Sequence, residues 1–328
     1  MEKEEIFRVI QEYTSNPPLI LAGTGLTIPV GIPGMWALAD YLREQLDEKY
    51  KTNTSWISVS DKIASGIDLE TALSEDKLSV DLLNDIKKCT WELVNAADIK
   101  YFREKHLFGR KAPFIKILSK FLKVTGRHLD IITTNYDRYI EYCCDQYGIE
   151  IDNGYKGIYT KSSDMSFSKR KNNVTLLKVH GSLDTFKDNL TNESISIPIQ
   201  DSIPRGFTPD IITPGISKYE AILTNASRQL VHHADTVINK ATNFLCIGYG
   251  FNDSQIQELM IKKIKSGCPI VVVTKELTDN ALGIINNNSE RHAVILDGED
   301  GKTRFIVNKT DVTIDGTYWT IDGFNEII

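Results

Sequence analysis

Short runs of Val, Ile and Leu, separated by longer amphipathic stretches, dominate the hydrophobic pattern of this chain. Six runs are almost continuously apolar and indicate strands: PPLILAG (17–23), HLDIITTN (128–135), TLLKVHG (175–181), PDIITP (209–214), NFLCIGYG (243–250) and PIVVVT (269–274). Continuous rather than alternating hydrophobicity is typical of parallel strands that are covered on both faces. Helical spacing flanks most of these runs, over 136–147, 218–241 and 253–265. The alternation predicts an α/β fold with a doubly wound, mostly parallel sheet.

Three segments depart from this rhythm. Residues 37–112 have helical spacing without a strong strand, which predicts a helical module inserted after the first strand–helix turn. The polar stretch 186–208 is predicted to be a loop. Residues 286–328 alternate polar and apolar positions around Asp-Gly turns, which predicts a C-terminal extension of short antiparallel strands. The principal α/β domain is therefore expected to combine residues 1–36 and 113–285.

Composition and charge narrow the class of protein. The chain has 328 residues, of which 41% are hydrophobic and 25% charged, as in soluble globular proteins. No apolar run approaches the roughly 18 residues of a membrane span, and the charged N-terminus does not have the pattern of a signal peptide. A cytoplasmic location without membrane contact is therefore expected. The formal net charge of −6 argues against direct nucleic-acid binding.

The five cysteines form no CxxC pair. This excludes the usual paired spacing of zinc ligands and gives no disulfide framework. We expect reduced thiols that are mostly buried, and no metal site.

The stretch LILAGTGLTIPVGIPG (19–34) contains the first candidate chemistry. Gly23 and Gly25 follow a predicted strand, as in a turn whose backbone approaches a phosphate. The hydroxyl residue Thr27 comes next, and Gly31 and Pro33 belong to a second break that delays the following helix. The sixth position of the usual GxGxxG is isoleucine, so the motif is incomplete. A tight turn without a ligand is the alternative.

Two further strand ends, HLDIITTNYD and LLKVHGS, place polar groups beyond an apolar run. In open α/β sheets, ligands bind at this carboxyl edge. Asn135 offers an amide, Asp137 an acceptor, and His180 an imidazole that can act as a base. Each has a structural alternative: Asn135 as a helix cap, Asp137 at a helix N-terminus, and His180 as a hydrogen-bonded core histidine.

Taken together and in this order, these motifs resemble the sirtuin (SIR2) superfamily. AGTGLTIPVGIPG is similar to its GAGxS…GIP loop, TTNYD to its TQNxD, and KVHGS to its LHGS. IGYGFND (247–253) is similar to the late segment that holds the adenosine-side ribose. The resemblance covers about residues 17–275. It implies a Rossmann-like sheet that binds NAD and an activity that cleaves the bond between nicotinamide and ribose.

The chain departs from the sirtuin pattern at positions that distinguish one branch of the superfamily from another. Sirtuin deacylases carry a four-cysteine zinc module after the histidine, and they have GIPDFR where this chain has GIPGMW. The chain thus resembles the zinc-free, SIR2-like proteins of bacterial anti-phage defence, which implies NAD hydrolysis. The alternatives are an NAD-dependent protein deacylase and a non-catalytic sensor that binds NAD or ADP-ribose and signals by assembly.

The resemblance implies a role for each candidate residue. Asn135 positions the ribose or the attacking water, Asp137 holds the nicotinamide carboxamide, and His180 acts as general base. Trp36 either covers the nicotinamide or anchors the inserted helices. The remaining residues expected to contact NAD lie at the pyrophosphate, in the two motif loops and at the adenosine ribose: Gly23, Gly25, Thr27, Gly31, Pro33, Gly181, Ser182, Gly248, Asn252 and Asp253.

The resemblance also implies regulation through assembly, since an unrestrained NAD hydrolase would harm its own cell. We expect a homo-oligomer, and the resemblance implies a separately encoded regulator, such as a HerA-type ATPase, as a further partner. Four aromatic residues outside the principal domain are interface candidates: Trp56, Trp91, Tyr318 and Trp319. The alternative is that they pack these segments onto the sheet.

Overall fold

The computed structural model describes residues 2–74, 77–123, 128–167, 173–215, 225–251 and 253–328. The helices are α1 (Lys3–Tyr13), α2 (Met35–Leu46), α3 (Thr54–Ala64), α4 (Leu69–Ser74), α5 (Val80–Tyr101), α6 (Phe114–Leu122), α7 (Tyr139–Tyr147), α8 (Asn225–Lys240), α9 (Ser254–Lys265), α10 (Asp279–Asn288) and α11 (Ile321–Ile327). The strands are β1 (Leu19–Ala22), β2 (Leu129–Thr133), β3 (Glu150–Asp152), β4 (Tyr155–Gly157), β5 (Lys161–Ser163), β6 (Asn173–Lys178), β7 (Gly181–Asp188), β8 (Ser194–Ser196), β9 (Phe207–Ile211), β10 (Phe244–Ile247), β11 (Ile270–Val273), β12 (His292–Asp297), β13 (Lys302–Val307) and β14 (Thr310–Asp315).

The central sheet has nine strands in the order β14-β13-β12-β11-β10-β1-β2-β6-β3. All neighbours from β12 to β3 pair in parallel, which confirms the predicted doubly wound, mostly parallel sheet. From β1 the chain first builds toward β2 and later returns to build from β10 in the opposite direction. The strand order therefore reverses between β1 and β10, and this switch point opens a crevice at the carboxyl ends of the strands.

Two hydrophobic clusters cover the two faces of this sheet. Successive residues of a strand point to opposite faces, so Ile20 and Leu21 belong to different clusters. Helices α1, α6, α7 and α11 cover one face, and α8, α9 and α10 cover the other. The short strands β1, β10 and β11 are buried at every position, which explains their unbroken apolar sequences.

Helices α2 to α5 form a third cluster beside the sheet, with a core drawn from these helices. Trp56 is 1% exposed and donates from Nε1 to Asp47 (2.9 Å). Trp91 is 2% exposed and donates from Nε1 to the Leu183 carbonyl (2.9 Å), which ties α5 to β7. Both tryptophans therefore pack within the chain, and their predicted role at an interface is wrong. Tyr318 is also buried, against Phe7 and Phe305, while Trp319 is partly buried against the same core.

A second sheet of five antiparallel strands, in the order β4-β5-β8-β7-β9, corrects two predictions. The segment 186–208 is not a simple loop, because it contains the end of β7, all of β8 and the start of β9. PDIITP is not a parallel strand of the main sheet, because β9 pairs antiparallel with β7. Strands β4 and β5 are mostly exposed and β7 is largely polar, so these three lack the apolar runs that identified the central strands.

The C-terminal segment extends the central sheet. β13 and β14 pair antiparallel, as predicted, but β12 runs parallel to β11, and the chain ends in helix α11 rather than in a strand. Of the helices that the structure describes, none combines the length and hydrophobicity needed to cross a bilayer. All five cysteines are buried and unpaired, as expected.

Candidate active site

A cavity of about 270 Å³ opens at the switch point between β1 and β10. Its walls come from the loops after β1, β2, β6 and β10, and from α2 and α4 of the inserted helices. The polar groups predicted at separate strand ends thus meet here, because parallel strands carry their carboxyl ends to one edge. Eight of the predicted residues line the cavity: Gly23, Pro33, Trp36, Asn135, Asp137, His180, Gly248 and Asp253.

The glycines after β1 and β10 allow two backbones to cross at close range. A Cβ on Gly23 would lie 2.4 Å from the Gly248 carbonyl oxygen, and one on Gly25 would lie 2.6 Å from the Gly248 Cα. Gly248 itself has a φ of 56°, in the left-handed region that favours glycine. These glycines therefore serve backbone packing at the floor of the cavity.

The amides of this loop are already used. Gly23 donates to Ile247, Gly25 to Gly248 and Thr27 to Thr24, each to a backbone carbonyl at 3.0–3.1 Å. The expectation that these amides bind a pyrophosphate is therefore corrected. Gly25, Thr27 and Gly31 do not line the cavity.

Asn135 is held in a fixed orientation at the end of β2. Its Nδ2 donates to the Gly23 carbonyl (3.0 Å) and to Thr27 Oγ1 (3.3 Å), and the residue is 4% exposed. Its Oδ1 is buried and has no hydrogen-bond partner among the described residues. The side chain does not cap α7, so that alternative is excluded. A buried acceptor without a partner, in the wall of a cavity, is suited to a ligand or water that donates to it.

Asp137 lies two residues further on and has two functions. One carboxylate oxygen accepts from the Tyr139 amide (3.1 Å), so the residue does support the start of α7. Burial raises the pKa of its carboxyl to about 6, although Lys178 opposes this rise. Lys178 donates to the Asp137 carbonyl and to Glu141 Oε1. The carboxyl is thus a buried acid on the cavity wall with a pKa raised by its burial.

His180 forms a pair with Asp253 across the cavity. Nε2 of the imidazole lies 3.0 Å from Asp253 Oδ2, and the side chains are 19% and 6% exposed. The other carboxylate oxygen of Asp253 accepts from the Ile256 amide at the start of α9 (3.1 Å). Phe251, just before, has a left-handed φ of 59°, an uncommon conformation for a non-glycine residue. Asp253 was predicted to contact a ribose, but here it orients the histidine.

The lining is strongly acidic. Four carboxylates, from Asp68, Glu70, Asp137 and Asp253, face the cavity, and the described lining contains no lysine or arginine. Such a field favours a cationic ligand or a cation that develops during reaction. Trp36 is 59% exposed at the rim and is not part of the core of the inserted helices. It is therefore available to cover a ligand, and the alternative of an anchor is excluded.

A second set of polar residues, the Arg138 cluster, fixes the loop that carries Asn135 and Asp137. Arg138 is fully buried and donates to Asp98 (2.8 Å), Asp184 (2.7 Å) and Asn95 (2.7 Å). Asp98 also accepts from the Arg138 amide (2.7 Å) and from the Tyr142 hydroxyl (2.6 Å). The cluster joins α5 of the insertion to α7 and β7, so it sets the position of the strand end.

Two predicted residues lie elsewhere, and one lies outside the described residues. Gly181 and Ser182 line a different cavity, on the other side of the β6–β7 turn that carries His180, so they do not join the candidate site. Asn252 falls outside the described residues.

The sequence did not indicate Asp68, Glu70 or Tyr249, which also line the cavity. Tyr249 lies inside the quoted IGYGFND motif; its hydroxyl is buried and has no partner in the described part of the chain. No local pattern marks Asp68 and Glu70, since only the fold of the insertion brings α4 to the cavity.

Comparison with known proteins adds a family likeness. A sequence model of the SIR2-like domain matches residues 130–269, which include Asn135, His180 and Asp253. A comparison with curated proteins gives no match. A solved structure that describes the mechanism and regulation of Sir2 enzymes aligns with a TM-score of 0.49 and 13% identity, over 91% of this chain and 94% of its own. A Sir2 homologue with ADP-ribose gives 0.48 and 13%, over 91% and 92%. A complex of Sir2 with a p53 peptide and NAD+ gives 0.46 and 13%, over 89% and 92%.

Proposed function

We propose that this chain hydrolyses NAD+ at the bond between nicotinamide and ribose, giving nicotinamide and ADP-ribose. The observation that carries the proposal is the meeting of the His180–Asp253 pair with the unpartnered Asn135 Oδ1 in one acidic cavity. The match of residues 130–269 to the SIR2-like domain supports NAD as the substrate. An NAD-depleting effector of anti-phage defence is the role that we propose for it.

The geometry suits the charge changes of this reaction. As the C–N bond breaks, its electron pair stays on the nicotinamide nitrogen and the ribose becomes a cation. Carboxylates on the cavity wall, Asp137 and Asp253 among them, stabilise that cation, and these two act strongly because they are buried. A positively charged nicotinamide ring entering the cavity is favoured by the same field.

His180 and Asn135 then deliver water. Asn135 Oδ1 accepts a hydrogen bond from the attacking water or from a ribose hydroxyl. His180 takes the proton of the water as the new C–O bond forms, and it passes that proton to solvent. Asp253 holds the imidazole and stabilises its protonated form. A positioned general base contributes about 10²–10⁴ in rate.

The segment after His180 supports hydrolysis over deacylation. In this chain it continues into the antiparallel strands β7 to β9, and no group of residues with metal-ligand character is present among the described residues. We propose that the activity needs no zinc, so treatment with a chelator should leave both folding and turnover unchanged. Stoichiometric zinc in the purified protein would contradict this.

The test is incubation of the pure protein with NAD+ alone, and with NAD+ plus an acylated peptide, followed by quantification of nicotinamide. The proposal predicts equal nicotinamide release with and without peptide. Release only with peptide would identify a deacylase, and binding without release would identify a sensor. Either result would contradict hydrolysis.

We further propose that the active species is a homo-oligomer. A separately encoded regulator, such as a HerA-type ATPase, is the second partner that we propose. Trp56 and Trp91 are buried, whereas Leu107 and Phe108 in the same insertion are 62% and 78% exposed. Exposed apolar side chains of this size favour an interface. Light scattering across protein concentrations tests the oligomer, and Phe108→Ser should weaken it. A monomer at every concentration would contradict it.

A further inference from the structure

A second cavity, of about 130 Å³, lies apart from the candidate active site. It is enclosed by the small antiparallel sheet, by the end of β6 and by α8, and one side chain of α5, Lys87, reaches it. A protein cavity of about 150 Å³ can hold a benzene molecule, so this cavity suits a small ligand rather than a nucleotide.

The two cavities share one wall. Along this wall Val179 and Gly181 line the second cavity, whereas His180 between them lines the candidate active site. Lys178 also lines the second cavity, while its ammonium group donates to the Asp137 carbonyl on the other side. An occupant of the second cavity would therefore touch the back of the strand end that presents His180.

The charged side chains of the second cavity differ in whether they have an ion-pair partner. Lys178 is matched by Glu141 at 2.9 Å, and Asp184 by Arg138 at 2.7 Å. Lys87, Lys187 and Asp210 remain, and none of these side chains has an ion-pair or hydrogen-bond partner within the described ranges. Lys87 and Lys187 are thus two ammonium groups of the lining without an ion-pair partner in the described part of the chain, while Arg138 pairs with Asp98 as well as with Asp184.

Lys87 is one of these two unpaired ammonium groups. It is half-buried on α5, and burial lowers the pKa of its ammonium group. Asp210 opposes that fall, and the neighbouring Lys187 adds to it. An ammonium group that has lost part of its hydration and makes no ion pair among the described residues is stabilised by a bound anion.

The remaining walls are largely apolar, with Val179, Ile211 and Leu230 among them. A cavity with apolar walls and a few placed charges is typical of small-molecule sites. We propose that the second cavity binds a small organic monoanion, whose carboxylate lies between Lys87 and Lys187 and whose apolar body packs against these walls.

Benzoate is a suitable probe because it joins one carboxylate to a compact apolar ring. Its binding to the full chain can be measured by isothermal titration calorimetry, with inorganic phosphate as a probe that lacks an apolar body. We expect benzoate to bind more tightly than phosphate. Lys87→Met keeps the aliphatic stem and removes the charge, so it should weaken benzoate binding about 10- to 100-fold.

Lys88→Met is the matched control, since Lys88 is the next residue of α5, lies 58% exposed and points toward Glu92 at 3.9 Å. It should bind benzoate as the unmodified chain does. Lys187→Met gives an independent test if Lys87→Met does not fold. Absence of benzoate binding, or equal binding by the Lys87 and Lys88 variants, would overturn the proposal. Because no NAD is used, that failure would leave the proposed hydrolysis untouched.

Discussion

Two sets of buried polar side chains lie side by side on the loop after β2, and they differ in how fully they are hydrogen-bonded. In the Arg138 cluster, the guanidinium of Arg138 contacts three acceptors, and Asp98 accepts three hydrogen bonds. In the candidate site, Asn135 Oδ1 and the Tyr249 hydroxyl are buried and have no partner among the described residues. Only three positions separate Asn135 from Arg138.

The difference indicates that neighbouring buried polar groups can have different roles, some in stabilising the fold and others in binding a ligand. A buried polar atom that makes no hydrogen bond costs about 1–3 kcal/mol. Such a cost is tolerated where a ligand or water supplies the missing partner. The satisfied Arg138 cluster is therefore expected to support the fold, and the unsatisfied groups of the candidate site are expected to support chemistry.

The largest effect is expected from the Arg138 cluster. Asp98→Ala leaves the buried Arg138 without its main partner, and such losses cost about 3–5 kcal/mol. Denaturant unfolding followed by circular dichroism measures the loss. The control is Asp201→Ala, because the exposed pair of Asp201 with Arg103 is worth at most about 1 kcal/mol. Similar losses of unfolding free energy in the two variants would contradict the claim that the Arg138 cluster stabilises the fold.

An effect of comparable size, but on rate, is expected at His180. His180→Ala should keep the fold and NAD binding and should lower nicotinamide release about 10²–10⁴-fold, since it removes the general base. This corresponds to roughly 3–5 kcal/mol of barrier. The exposed His232 on α8 provides the control variant His232→Ala, with unchanged turnover expected. Near-normal turnover by folded His180→Ala would exclude the assigned role.

A smaller effect is expected at Asp137, on how the free energy of unfolding depends on pH. Burial raises the pKa of this carboxyl from an ordinary 3.8 to about 6 in the folded chain. Between these pH values the folded state holds the proton more tightly, so the stability from this group is present below pH 4 and is lost as pH rises through about 6. A difference of about two pH units corresponds to about 3 kcal/mol.

Asp137→Asn cannot titrate, so its free energy of unfolding should rise relative to the unmodified chain by up to about 3 kcal/mol between pH 4 and pH 7. Urea unfolding at a series of pH values measures this difference. Asp201→Asn, at an exposed carboxylate, should show no such trend. A constant difference between Asp137→Asn and the unmodified chain would contradict a raised pKa.

The sequence predicted those parts of the fold that are buried on both sides. The apolar runs that became β1, β2, β6, β10 and β11 mark the central sheet because such strands admit almost no polar residues. Strands β7 and β8 were missed because their sequences are largely polar and are compatible with loops. PDIITP was placed in the wrong sheet because an apolar run does not reveal the strand beside it.

The candidate site was predicted in a similar, partial way. Asn135 and His180 follow apolar runs directly, so the strand ends located them without knowledge of the fold. The pairing of His180 with Asp253 joins residues 73 positions apart, and no spacing rule indicates it. The glycines after β1 were assigned to a phosphate because a glycine that permits backbone crossing has the same sequence signature as one that cradles an anion.

The central claim is that the Arg138 cluster stabilises the fold whereas the candidate site supports catalysis. It is tested most directly with Asn135→Ala and Asp98→Ala, by measuring nicotinamide release and the free energy of unfolding on the same samples. Asn135→Ala removes two hydrogen bonds, and each lost bond should lower the free energy of unfolding by at most about 1 kcal/mol. The same substitution should abolish turnover. Asp98→Ala should cost about 3–5 kcal/mol, yet its folded fraction should still release nicotinamide. Retained turnover by Asn135→Ala, or a stability loss equal to that of Asp98→Ala, would contradict this account.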